Sequence, residues 1–256
     1  MRRAACGAAV ACVIASTSVP ARADSAALFR AGNYAAAADA GRAEHSAQSL
    51  ALAARAALMR AAFLTSDRAL AKSLVMQGEA DADAALRLDP RNYDAQFQHA
   101  SGIGYRATLT NSPKAAGETR SIMIALTKAD PARAEAWLGL GAWNGEAVDG
   151  LGRFMAGMVL GAKLSAMDAA FAEAEKRWPL NPVPFAYHGS LLLRIDPGQA
   201  ARATVLLEVA VRNRPREAYE ATARAGAADV LTLLQHGDVK GARLMAKKLG
   251  SFGRLG

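Results

Sequence analysis

The stretch Asp130-Pro131-Ala132-Arg133-Ala134-Glu135-Ala136-Trp137-Leu138-Gly139-Leu140-Gly141-Ala142-Trp143 decides how this chain folds. Trp137, Leu140 and Gly141 stand at i, i+3 and i+4, so a helix carries them on one face, where a large ring packs over a small residue of a neighbouring helix. A glycine at that place lets two helices approach closely. Pro131 marks the boundary before the helix, because proline cannot continue a helix and pushes the residue before it to extended backbone. Glu135 falls in the first turn, where a negative charge favours the helix dipole. The boundary recurs upstream: Asp89-Pro90-Arg91-Asn92-Tyr93-Asp94-Ala95 aligns with Asp130 to Ala136 as D-P-x-x-x-[D/E]-A.

With Pro131 upstream, the W-x-x-L-G spacing resembles the opening of a tetratricopeptide (TPR) repeat. Gly32-x-Tyr34-x-x-Ala37 matches the turn and second helix of such a unit, in which glycine ends one helix in a left-handed conformation and the tyrosine packs down between the pair. Ala85-Leu86-Arg87-Leu88-Asp89-Pro90 is similar to the close of a TPR second helix. The helix after Pro90 carries Phe97, Ile103 and Tyr105 in place of W-x-x-L-G, which makes it a degenerate unit. Thr65-Ser66-Asp67 supplies N-cap candidates, Ser112 is a cap with Pro113 at the first helical position, and Asp196-Pro197-Gly198 and Gly237-Asp238 read as turns within helix pairs. The resemblance implies an all-α fold: a right-handed TPR-like α-solenoid of about five to six helical hairpins in one domain, residues 24–256, with an inserted helix in the third unit.

The insertion follows from spacing. Unit ends at Pro90, Pro131, Pro179 and Pro215 lie 41, 48 and 36 residues apart, against a TPR period of about 34. Trp137 and Phe171 are 34 apart where a standard unit has about 20 between the matching positions, so roughly 14 residues are added, within about 144–165. Leu140-Gly141-Ala142-Trp143-Asn144-Gly145-Glu146, then Arg153, the apolar insert and Asn181-Pro182, resembles bacterial members of the regulator-of-microtubule-dynamics-like TPR group, over roughly residues 80–236. Those motifs mark fold more than activity, and microtubule association does not carry over to a chain with an export signal. Phe154, Met155 and Met158, with Gly157-x-x-x-Gly161, admit three readings: an extra helix that enlarges the core, a homodimer seam, or a candidate hydrophobic site for a lipid or other apolar ligand. Gly150-x-Gly152-x-x-x-x-Gly157 lacks the preceding strand and the spacing of a nucleotide fingerprint; it reads as a close-packed helix hairpin.

Alanine dominates a composition that is 52% hydrophobic, 21% charged and only 6% aromatic, which favours helix throughout. Met1-Arg2-Arg3, the apolar run Ala4 to Ala15 and Ala21-Arg22-Ala23 have the charged start, apolar core and A-x-A site of a secretory signal, so cleavage after Ala23 and a periplasmic or secreted location are expected. Both cysteines, Cys6 and Cys12, lie inside that signal. No later stretch has the apolar length of a membrane span. The formal charge of +8 is uneven: residues 24–211 hold 19 basic and 19 acidic side chains, whereas residues 212–256 hold 9 and 4. Aromatics interleaved with those cations are few, Tyr219 and Phe252, so nucleic acid is not the expected partner.

The four histidines, His45, His99, His188 and His236, have no partner at metal-ligand spacing, and neither a G-x-S-x-G elbow nor a Walker loop is present. His99 and His188 take places where TPR helices carry leucine, so they read as partly buried structural residues. No cofactor is expected. The leading expectation is a non-enzymatic scaffold that holds a protein or peptide partner in a concave TPR groove. Counting from Tyr93 and Ala134, the groove-facing residues are Asp94, Phe97 and Ser101, then Glu135, Leu138 and Ala142. Phe97 and Leu138 would give apolar contact and Ser101 a hydrogen bond. Asp94 and Glu135 would pair with a basic partner or act only as helix-start charges. Residues 251–256 read as a frayed tail.

Overall fold

The computed structural model describes residues 24–255 and is all-helical there. The helices are α1 (Ser25–Arg30), α2 (Tyr34–Glu44), α3 (Ala47–Met59), α4 (Arg68–Leu88), α5 (Tyr93–Thr110), α6 (Pro113–Ala129), α7 (Ala134–Leu160), α8 (Leu164–Arg177), α9 (Pro182–Ile195), α10 (Ala200–Arg212), α11 (Ala218–Gln235) and α12 (Val239–Leu249). A π-helical turn, Arg60–Leu64, prolongs α3, and a 3-10 turn, Pro197–Gln199, leads into α10. The export signal, its cleavage point and Cys6 and Cys12 fall outside the described residues. Among the described residues no single helix is long and apolar enough to cross a membrane.

Side chains that bind the first free N–H groups set most helix starts. Asp67 accepts from the amides of Ala69 and Leu70 before α4, Asn92 from Ala95 before α5, and Asn181 from Val183 before α9. Ser112 caps α6 with Pro113 at the first helical position, as its sequence indicates. Gly32 takes φ 84° after α1, and Tyr34 then buries its ring edge-on against Phe29 at 5.0 Å. Only a residue without a Cβ enters that conformation at little cost.

Successive helices pack side by side, and α3, α5, α7, α9 and α11 also touch one another in series, which leaves α4, α6, α8 and α10 as an outer layer. The tight α7–α8 contact rests on Gly141, because a Cβ there would lie 2.7–2.9 Å from the ring carbons of Phe171. The ring that packs over the small residue is therefore Phe171; Trp137 of the same motif lies half-buried under the Arg177 guanidinium, 5.0 Å from its ring centre. Outside the motif, both ring nitrogens of buried His188 face carboxylates, Glu175 at 2.8 Å and Asp168 at 3.0 Å, while its ring stacks on Phe171 at 4.6 Å. The ordinary carboxylate value is lowered at Asp168: burial opposes the charge, and hydrogen bonds from Arg202 and His188 outweigh it.

The two ends of the described chain, residues 24–255, meet. α1 packs on α11, Arg55 pairs with Glu217 at 2.7 Å, and Phe63 of the π-helical turn lies 5.8 Å from the Tyr219 ring. Residues 251–255 are part of this closure rather than a frayed tail. The Phe252 amide donates to the Ala62 carbonyl at 2.7 Å, its ring meets Tyr105 edge-on at 5.3 Å, and it is buried. Phe252 holds φ 60°, an unfavourable conformation for a bulky side chain, so its packing outweighs local strain. Phe252→Ala is expected to lower the unfolding free energy by about 2–3 kcal/mol, short of the loss for a fully enclosed ring; urea unfolding measures it, and a loss under about 0.5 kcal/mol would show that the closure carries no stability.

The added residues around 144–165 divide at Gly152, whose φ 76° and ψ 156° are non-helical: the first part prolongs α7, and the second, up to Leu160, is a short helix of its own. The segment after the break folds onto its own stem, where Ala156 and Ala162 bury against Val148. Gly161 (φ 68°) then ends it as a left-handed cap, and α8 leaves at 98° to α7. The glycines of this tip are not close-packed: a Cβ at Gly150, Gly152 or Gly161 would meet nothing within 4 Å. Nor does the segment simply enlarge the core, since Phe154 is 77% and Met158 64% exposed.

Candidate binding cavity

Most of the inner helices' lining side chains face a single cavity of about 1130 Å³. Its walls come from α3 and the π-helical turn (Leu52, Met59, Phe63), α5 (Phe97, Ser101, Tyr105), α7 (Leu138, Ala142, Trp143), α9 (Val183, Tyr187) and the start of α11 (Tyr219). Asp94, Phe97, Ser101, Glu135, Leu138 and Ala142, chosen by register alone, all line it. Phe97 is held where Gly139 leaves room, as a Cβ at Gly139 would come within 3.3 Å of its ring and 2.9 Å of the Met123 sulfur.

The polar members of that set are already engaged. Arg133 bridges Asp94 and Glu135, the latter at 2.8 Å, while its guanidinium lies 4.3 Å from the centre of the Tyr93 ring. Gln48 also donates to Asp94 at 3.2 Å. Ser101 donates its proton to the Phe97 carbonyl at 2.8 Å, which leaves only its lone pairs for a ligand. Phe154, Met155 and Met158 are absent from this lining; they are exposed to solvent, whereas Gly150, Leu151, Val159 and Leu160 of the tip reach the cavity rim.

One wall carries a network that pattern reading missed. Arg194 is bidentate to Glu146 at 2.9 and 2.6 Å and binds Asp149 Oδ2 at 3.1 and 2.6 Å, with its own side chain only 8% exposed. Tyr187 donates to Glu146 at 2.7 Å and therefore accepts from Ser251, 2.9 Å away. Burial, with Glu146 second, holds the Tyr187 phenol well above its ordinary range, and burial pushes Tyr219 up to about 12, so both stay neutral donors. A signal for the network existed: Arg194 follows Leu191-Leu192-Leu193 in a helix apolar almost all round, and a charge in such surroundings needs a partner.

No family model and no curated protein matches this chain. The side chains themselves must therefore say what the cavity takes. Five arginines line it, and four are paired: Arg55 with Glu217, Arg133 with Asp94 and Glu135, Arg177 with Glu173, and Arg194 with Glu146 and Asp149. The fifth, Arg216, is exposed, and among the described residues its guanidinium has no carboxylate within ion-pair distance. Gln98 and Tyr219 also line the cavity, and the amide of one and the hydroxyl of the other have no hydrogen-bond partner among the described residues. A largely apolar wall whose arginines, Arg216 apart, are engaged by carboxylates, with a few unengaged polar groups, suits a ligand with an apolar body and a polar or anionic end.

The residues that carry the sequence resemblance have structural employment. Asn144 donates to the Leu140 carbonyl and accepts from the Lys163 amide, which ties α8 to α7. Gly145 leaves room for Leu191 and Met167, Glu146 belongs to the Arg194 network, Arg153 pairs with Asp196 at 3.2 Å, and Asn181 caps α9 while binding Glu220.

Proposed function

We propose that this chain is a non-enzymatic, exported binding protein: a TPR-like right-handed solenoid of helical hairpins whose inner helices hold an apolar segment of a peptide or protein partner. Phe97 and Leu138 supply the apolar contact, and Gln98, Tyr219 and Arg216 receive the segment's polar groups. Asp94 and Glu135 act through Arg133 as wall-building charges instead of partner contacts. The observation that carries this reading is the convergence of Phe97, Leu138 and their neighbours on one cavity, four of whose five arginines are engaged by carboxylates. Export rests on the three-part character of residues 1–23.

A second reading has its own support. Residues from both ends of the described chain, Arg55, Glu217 and Ser251 among them, border the cavity, and its volume lies just above the roughly 300–1,000 Å³ of small-molecule sites, so a free amphipathic ligand such as a fatty acid would fit the same place.

One titration tests both. Nile red should fluoresce on entering the cavity, and Phe97→Ala with Leu138→Ala should weaken it about tenfold or more, roughly 1.4 kcal/mol per decade, while helicity is retained. Displacement by extended apolar peptides supports the partner-segment reading; displacement by fatty acids alone moves the function to the second. Probe binding untouched by the double substitution would remove the cavity as the site.

A further inference from the structure

We propose that the tip of α7, together with α12, docks on an anionic lipid bilayer surface. The tip exposes Leu151, Phe154, Met155, Met158 and Val159 within ten residues, a density of large apolar side chains at solvent that the remaining surface does not repeat. Ordinary surfaces scatter such residues singly; a contiguous set marks an interaction site.

Charge selects the occupant. Residues 150–163 contain Arg153 and Lys163 and no acid; residues 239–249 contain Lys240, Arg243, Lys247 and Lys248 and no acid. Residues 24–256 hold 28 basic and 23 acidic side chains, a net +5, so with these six cations set aside all the rest of the chain sums to −1. These two acid-free segments are neighbours: Gly152 and Arg153 of α7 and Arg243 of α12 line one cleft of about 170 Å³. Lys163, Lys240, Lys247 and Lys248 are exposed, and none forms an ion pair among the described residues. Leu244 adds a 61% exposed apolar side chain to the same face of α12 as Lys240, Lys247 and Lys248.

Apolar side chains that enter the headgroup boundary, flanked by lysines that meet anionic headgroups, are the physical signature of interfacial binding. The tip's construction fits that task. Ala156 and Ala162 anchor it, Gly150, Gly152 and Gly161 stand in open space, and its large apolar side chains are exposed. A partner protein rich in acids would satisfy the cations but would not by itself explain the protruding Phe154 and Met158. Docking does not require the cavity to hold anything, yet Leu151, Val159 and Leu160 at the cavity rim would lie beside the bound surface.

The test is sedimentation with vesicles of phosphatidylcholine alone or mixed with phosphatidylglycerol, using the purified full-length product as its cells process it, wild type and variants with the same N-terminus. Wild type should bind the anionic vesicles, and bind the neutral ones at least about tenfold more weakly. Phe154→Glu with Met158→Glu should reduce anionic binding about tenfold or more, and Lys247→Gln with Lys248→Gln should reduce it less and remove part of its salt dependence. Nile red binding should not change in either variant, which separates this surface from the cavity. Equal binding of wild type and the Phe154→Glu, Met158→Glu variant would overturn the proposal. So would a dimer in light scattering that the same variant disperses while no vesicle is bound, because the tip would then meet a second copy of the chain.

Discussion

Arg194→Met is expected to lower the unfolding free energy by about 3 kcal/mol, the lower end of what removing one member of a buried ion network does. The geometry sets both sign and size. Burial opposes the Arg194 charge, and Glu146 and Asp149 outweigh it, so the guanidinium is held more firmly protonated than usual. Methionine keeps most of the apolar stem but leaves two carboxylates, with side chains 29% and 16% exposed, facing each other across the lost cation. Their partial access to the cavity keeps the loss at the lower end of the range. Neutralising them together, as Arg194→Met, Glu146→Gln and Asp149→Asn, should restore stability to within about 1 kcal/mol of wild type, since a buried ion network contributes little relative to neutral groups of the same shape. Urea unfolding of the two variants decides the matter. A single variant within about 0.5 kcal/mol of wild type would mean that the carboxylates relax into solvent and that the network does not stiffen the cavity wall.

That network also shows what could be read ahead of the structure. Helix boundaries were legible because they depend on neighbours in sequence: Asp67, Ser112 with Pro113, Gly32 and Gly237 act where their residue types indicate. The groove register was legible too, since counting from Tyr93 and Ala134 needs only the helical period. Phe97 and Leu138 consequently arrived at the cavity. The pairing of Asp94 and Glu135 with Arg133 was only half visible, as helix-start charges, because it joins two consecutive hairpins. Contacts that depend on how hairpins accumulate along the chain were not legible. Arg55 meets Glu217 across 162 residues, and Phe252 meets Ala62, and no local periodicity foretells either contact. Arg194 could have been flagged as a charge in apolar company, but its partners on α7 could not have been named without that register. The insert was legible as extra length and as a helix, whereas the place of the break at Gly152, up to which its first residues continue α7, and the burial of Ala156 and Ala162 against Val148 were not.

The strongest check on the motif itself is a pair whose effects change sign. Phe171→Ala is expected to cost about 4 kcal/mol, because the ring is wholly buried, stacks on His188 and covers Gly141. Gly141→Ala in the wild-type background sets a methyl 2.7–2.9 Å from that ring, so overpacking should exceed the gain in helix propensity and leave a net loss of about 1–2 kcal/mol. With Phe171→Ala already present, the same methyl enters the vacated space and both contributions favour it. Gly141→Ala should then stabilise by about 1 kcal/mol, a coupling of roughly 2–3 kcal/mol between the two sites. Denaturant melts of the four proteins give the cycle directly. Additivity within about 0.5 kcal/mol would show that the glycine is present for backbone reasons alone. The expected reversal would instead establish that the spacing from Trp137 to Gly141 matters through the ring that α8 sends across it, which fixes where α7 stands and so where Leu138 meets the cavity.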